Sequence, residues 1–178
     1  HRMSISKIRL DKKISFDPVI LPKKTIFQLV SLLDNYDGDV KISNIKSKIK
    51  FELNDSILIS KLIDGKFPNY IQVIPKNNQK KLELDLKVFL GSVDRVASVS
   101  LDKKDGVKFI LKKDALDLSV NNTNSGDGNE SLSVKFESDL EISFNSRYLI
   151  DVASQIDGDK IELFFNDTGS PVLIKDPG

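Results

Sequence analysis

With 178 residues, 39% of them hydrophobic, the chain is long enough for one large domain or two small ones with a real core. It contains no cysteine, which excludes disulfides, thiolate metal sites and cysteine nucleophiles. Basic and acidic residues nearly cancel, 27 against 26, so any grip on nucleic acid must come from charge segregated onto one face.

In chain order, Met3 to Leu10 alternates apolar and polar residues and predicts a strand, with a second from Ile14 to Leu21 ending at Pro22. Ile26, Phe27, Leu29, Val30, Leu32 and Leu33 then recur at helical spacing, and Thr25 with Gln28 fits a capping box. Asp37-Gly38-Asp39 ends that unit, and strands are expected at Val40–Ser43, Ile45–Leu53 and Ser56–Ile63. Asp64-Gly65 supplies turn chemistry and Phe67-Pro68 an extended backbone. Ile71, Val73 and Ile74 read as a further short strand before the polar stretch from Pro75 to Lys81.

The second half repeats this grammar. Leu82 and Leu84 lead into a helix with Leu86, Phe89, Leu90, Val93, Val96 and Ala97 on one face. Strands follow at Val107–Lys112, Leu116–Asn122, Leu132–Glu137 and Leu140–Phe144, with Asn121 to Asn129 as a hairpin tip. A third helix starts at Asn145, a good N-cap, and turns Tyr148, Leu149, Val152, Ala153 and Ile156 inward. Strands Ile161–Asn166 and Val172–Lys175 close the chain. Thr25–Asp39 and Asn145–Asp159 align without a gap, a weak internal repeat of helix, acidic turn and strands. Helices that must bury one face against their own sheets give an α+β fold, with the helices on one side of antiparallel sheets.

Catalytic chemistry finds little footing. His1 is the only histidine, so no triad can be assembled, and there is no glycine-rich phosphate loop. The asparagine-rich tip fails the calcium-loop pattern, because Gly126 sits where an acidic ligand is needed. Sequons at Asn54, Asn121, Asn129 and Asn166 are what chance yields in so asparagine-rich a chain. The helix faces say more. Lys23 and Lys24 precede the first helix; Lys87, Gly91 and Arg95 share an exposed stripe on the second; Arg147 and Asp151 share the outer face of the third. A helix start attracts phosphate, although a charged stripe is ordinarily a solvated surface.

Asp64-Gly65-Lys66-Phe67-Pro68-Asn69-Tyr70, followed by an apolar stretch and Pro75-Lys76, resembles the junction between the second and third domains of the bacterial sliding clamp, the beta subunit of DNA polymerase III. His1-Arg2-Met3, Leu21-Pro22-Lys23-Lys24 and Phe144-Asn145-Ser146-Arg147-Tyr148 match the same family in order, so the likeness spans the chain. It implies a fragment: residues 1–74 as the C-terminal part of the middle domain, and residues 75–178 as the C-terminal domain without its last strand and tail. It further implies a non-catalytic, cytoplasmic processivity factor without cofactor or metal. Such a factor encircles duplex DNA independently of sequence as a homodimeric ring, has no membrane contact, and binds DNA polymerase III alpha, clamp-loader subunits and other clamp-binding peptides.

By the same likeness, Lys24, Lys23, Lys87 and Arg95 face DNA phosphates. His1, Arg2, Met3, Pro68, Gln72, Val73, Asn145 and Tyr148 wall a groove for partner peptides. Ser98, Val99 and the edge strand near Leu132 are implied to form the dimer interface, where Asp127 and Glu130 either meet basic residues across it or serve as an acidic edge that guards against aggregation. Gln72, Lys104, Gly169 and Pro171 depart from residues common in relatives. The rival reading is a secreted or surface β-rich binding module, which would have no use for three amphipathic helices at repeat spacing.

Overall fold

The computed structural model describes residues 2–11, 14–100 and 106–177; His1 and Lys104 lie outside them. The chain forms two compact units, one of Ser4–Tyr70 and the other of Ile71 onward together with the N-terminal Arg2 and Met3.

In the first unit, helix α1 spans Lys23–Leu33 and strands β1 (Lys41–Ile45), β2 (Lys48–Glu52) and β3 (Ile57–Lys61) form an antiparallel meander. The helix starts two residues before the expected cap. Pro22 occupies the N-cap position with an extended backbone, and its carbonyl accepts from the Thr25 and Ile26 amides at 3.0 and 3.3 Å. Thr25 therefore lies inside the helix. It is buried, and its Oγ1 sits 2.6 Å from Ser60 Oγ, so the expected capping box with Gln28 does not form. The apolar stripe is only partly used: Leu29 packs against the core of Ile49, Phe51 and Leu53, whereas Ile26, Phe27, Val30, Leu32 and Leu33 stay exposed.

The β1–β2 turn falls at Lys46, in the left-handed region with φ 53°, two residues beyond the expected break. Met3–Leu10 and Ile14–Leu21, both expected as strands, form no ladder among the described residues. Alternation marks a face, but a strand exists only where a neighbour supplies the hydrogen bonds. Of the second stretch, Ile20 accepts a single backbone bond from Ile63, at 3.0 Å.

A short 3-10 turn, Tyr70–Gln72, stands where a strand is expected, at the point in the chain where the second unit begins. Pro68 and Pro75 flank this stretch, and prolines cannot donate to a ladder. Strand β4 (Lys80–Asp85) leads directly into α2 (Leu86–Ala97), capped by Asp85 Oδ1, which accepts from the Val88 amide at 2.9 Å. Strands β5 (Gly106–Lys112), β6 (Ala115–Asn122), β7 (Gly126–Ser133) and β8 (Leu140–Asn145) follow, then α3 (Ser146–Ala153), β9 (Lys160–Phe165) and β10 (Leu173–Lys175).

Two antiparallel sheets result, in the orders β7-β6-β5-β8 and β10-β9-β4. Alternate residues of both sheets point into one core: Leu82 and Leu84; Val107, Phe109 and Leu111; Leu116, Leu118 and Val120; Ile161, Leu163 and Phe165. Phe89, Val93 and Val96 of α2 and Leu149 and Ala153 of α3 complete it, as the helical spacing predicted. This is the expected α+β arrangement of helices on antiparallel sheets.

Strand β7 lies earlier than the expected Leu132–Glu137. The hairpin tip shrinks to three residues because Asn122 Oδ1 accepts from the Asn124 and Ser125 amides at 2.9 and 3.0 Å, which lets Gly126 begin pairing. Gly128 is needed there for space: a Cβ would stand 2.7 Å from the Val96 carbonyl oxygen, so only glycine lets this edge strand lie against the end of α2.

Candidate functional site

The start of α3 brings distant residues together. Asn145 is the N-cap, and its Oδ1 accepts from the Tyr148 amide at 3.2 Å. This bond fixes the first turn and presents the half-buried Tyr148 ring. Arg2 lies against that ring, its guanidinium carbon 4.3 Å from the centroid, within cation–π range. Arg2 Nη1 also donates to Asp151 Oδ2 at 2.5 Å, one helical turn beyond Tyr148. The contact joins positions 149 apart in sequence. In the same unit Met3 is 46% and Val73 63% exposed, large apolar side chains available to a ligand. Gln72 is exposed on the 3-10 turn. Pro68 is exposed in the first unit, where its neighbour Phe67 meets Tyr70 edge-on at 6.3 Å.

The basic residues fall into two kinds. Lys24 and Lys87 are exposed and make no ion pair among the described residues. Lys23 sits 5.3 Å over the Phe27 ring, one turn along α1. Arg95 is different, because Glu130 already meets its charge: Nε donates to Oε2 at 2.9 Å and Nη2 to Oε1 at 2.5 Å. Ser92, buried in α2, donates to the same carboxylate at 2.6 Å. Arg95, expected to reach toward phosphate, and Glu130, expected to face outward from the sheet edge, thus clasp each other and tie α2 to β7.

Hydrogen bonds from Arg95 and then Ser92 hold the Glu130 carboxyl below its ordinary value of 4.5 and raise Arg95 in turn. A depressed carboxylate pKa contributes stability that is complete above the unfolded value and disappears as pH falls through the folded one. Glu130→Gln should therefore be less stable than the parent at pH 7. Its urea midpoint should also change less between pH 5 and pH 3, and unfolding curves at the two pH values check this.

The remaining candidates cluster at the β7 edge. Ser98 caps α2, its Oγ donating to the Arg95 carbonyl at 2.7 Å; Val99 is half-buried beside Gly128; and Leu132 is half-buried on β7, the outermost strand of its sheet. Sequence reasoning missed two features. Helical spacing puts Asp151 on a solvated face, and nothing in the order of residues shows that Arg2 reaches it. An open cleft of about 780 Å³ in the first unit, lined by Val19, Ile20, Lys46, Leu62, Ile63 and Phe67, was not anticipated either.

An arginine stacked on an aromatic at a helix start, exposed lysines on α1 and α2 and β7 as the outermost strand of its sheet are the surface features of this α+β protein. Residues 1–69 match the family model for the DNA polymerase III beta subunit, central domain, and residues 71–178 that for its C-terminal domain. The beta sliding clamp of Caulobacter vibrioides is 37% identical over 179 residues, covering 99% of this chain and 48% of the relative. The crystal structure of the Caulobacter crescentus DNA polymerase sliding clamp superposes with a TM-score of 0.84 at 39% identity, covering 89% of this chain and 43% of that one. The Bartonella birtlesii sliding clamp, solved bound to griselimycin, gives 0.85 at 41% identity, covering 90% and 44%. The chain belongs to the DNA polymerase III beta-subunit family, the beta sliding clamps. It spans about half the length of the curated relatives it matches.

Proposed function

We propose that this chain is part of a processivity factor, without catalytic activity of its own, that encircles duplex DNA and tethers a replicative polymerase and other replication proteins through short peptides. On this reading residues 1–74 belong to the middle domain and 75–178 to the C-terminal domain of a ring-forming homodimer. The observation that carries it is the Arg2–Tyr148–Asp151 arrangement with Met3 and Val73 in the same unit. It supplies the aromatic anchor, apolar surface and polar rim that an extended peptide needs. Gln72 and Asn145 belong to the same proposed groove, Asn145 chiefly by holding the helix start. His1 completes the assignment but lies outside the described residues.

Lys24, Lys23 and Lys87 are the proposed phosphate-facing residues, and Arg95 contributes less because Glu130 shares its charge. Loose contacts to phosphate carry no base information and permit sliding. Ser98, Val99 and Leu132 are the proposed ring-closing edge.

Loading the full-length protein onto nicked circular DNA, then linearising the DNA, tests the topology. Retention on the circle and rapid loss from the line is the expected result; equal retention on both overturns it. Lys24→Ala should lower the slope of log affinity against log salt for linear DNA by about 1.

A further inference from the structure

Asp151 is not among the groove residues that the family resemblance implies, yet it holds Arg2 at the rim. Arg2 is committed on two sides: its plane lies on Tyr148 at 4.3 Å, and Nη1 is bonded to Asp151 Oδ2 at 2.5 Å. The side chains of Arg2 and Asp151 are 46% and 44% exposed, so the pair contributes little to folding stability. Its effect is on what the surface presents. A planar guanidinium already facing one carboxylate offers fewer donors to a second, and an incoming acidic side chain would also meet the Asp151 charge.

Resting on the peptide-groove reading, we infer that Asp151 is a specificity-determining residue: it neutralises Arg2 and holds it on Tyr148, so that the groove selects ligands whose residue at this point is neutral. Discrimination here comes from an unfavourable arrangement built against acidic peptides, without a contact dedicated to neutral ones. Arg2 serves as an apolar-faced wall for Tyr148 and is spared from acting as a carboxylate receptor.

The test uses the full chain and a fluorescein-labelled hexapeptide with two apolar anchor residues, synthesised with Gln or Glu at each other position in turn. The parent protein should bind every Glu peptide no better than its Gln counterpart. Asp151→Asn, which keeps the size of the side chain, should raise the preference for Glu at one position roughly two- to fivefold, in a manner that added salt removes. Asp151→Glu, which restores the carboxylate, should return the parent pattern. A Glu preference already present in the parent, or no position that responds to Asp151→Asn while Gln peptides still bind, overturns the inference and leaves the groove standing. Failure of all peptides to bind the parent overturns the groove itself and this inference with it. Thermal melts of both variants within a few degrees of the parent establish that the comparison is between folded proteins.

Discussion

Replacing Tyr148 by aspartate should abolish peptide binding, with a loss of affinity of at least about 100-fold, while the fold survives. The two halves of this expectation have separate causes. Tyrosine at the centre of a small binding surface is the kind of residue whose removal costs about 2 kcal/mol or more. A carboxylate in its place adds the cost of bringing a charge against apolar ligand atoms. It would also stand beside Arg2, which Asp151 already holds, and would draw the guanidinium further from the ligand. The fold is insulated because the α3 cap uses the Tyr148 main-chain amide, which aspartate retains. An acidic residue in the first turn of a helix is moreover favourable to the helix dipole. Fluorescence anisotropy with a labelled partner peptide reads the first effect and a thermal melt the second. Affinity within threefold of the parent would remove Tyr148 from the groove.

How much of this surface was legible in the sequence follows from which contacts are local. The Asn145 cap, the inward faces of α2 and α3 and the alternation of β5, β6, β8 and β9 are set by residues within a few positions of one another, so periodicity and capping chemistry located them. Thr25 shows where the local rule yields: Pro22 takes the cap position three residues earlier and leaves the threonine inside the helix, facing Ser60. Leu132–Glu137 shows a similar limit. Val134 and Phe136 are buried as their pattern demands, yet they lie beyond the strand, because pairing was decided upstream by Asn122 closing a three-residue tip.

Contacts between distant positions left no such trace. Arg95 and Glu130 were each visible as exposed charges and each was assigned outward, one to DNA and one to the sheet edge. Their pairing depends on β7 crossing the end of α2, a packing made possible by the missing side chain at Gly128. The Arg2–Asp151 bond is of the same kind. Family resemblance placed Arg2 and Tyr148 in one groove; only the geometry adds Asp151 to it.

The largest effect on stability is expected at Phe109, and it bears on function because every proposed contact of the second unit depends on that core. Phe109 is fully buried on β5, the strand bonded on both sides within its sheet. Its ring meets Phe144 of β8 edge-on at 5.0 Å and Phe89 of α2 at 6.1 Å, so it joins the neighbouring strand and the helix above it. Phe109→Ala removes these contacts and leaves a cavity that regular strands cannot collapse to fill, a cost of about 3–5 kcal/mol. For a unit of this size that corresponds to a fall in melting temperature of roughly 12–25 °C, measurable by calorimetry. Phe67→Ala supplies the contrast: that ring is 65% exposed, and its loss should cost under about 1 kcal/mol. Because β8 runs straight into Asn145 and α3, the damage at Phe109 should spread to the helix start that presents Tyr148. Peptide affinity near the new melting point should therefore fall with the folded fraction, whereas Tyr148→Asp should lose affinity at every temperature. A Phe109→Ala variant that melted within about 3 °C of the parent would mean that the aromatic cluster is not what holds this sheet to α2.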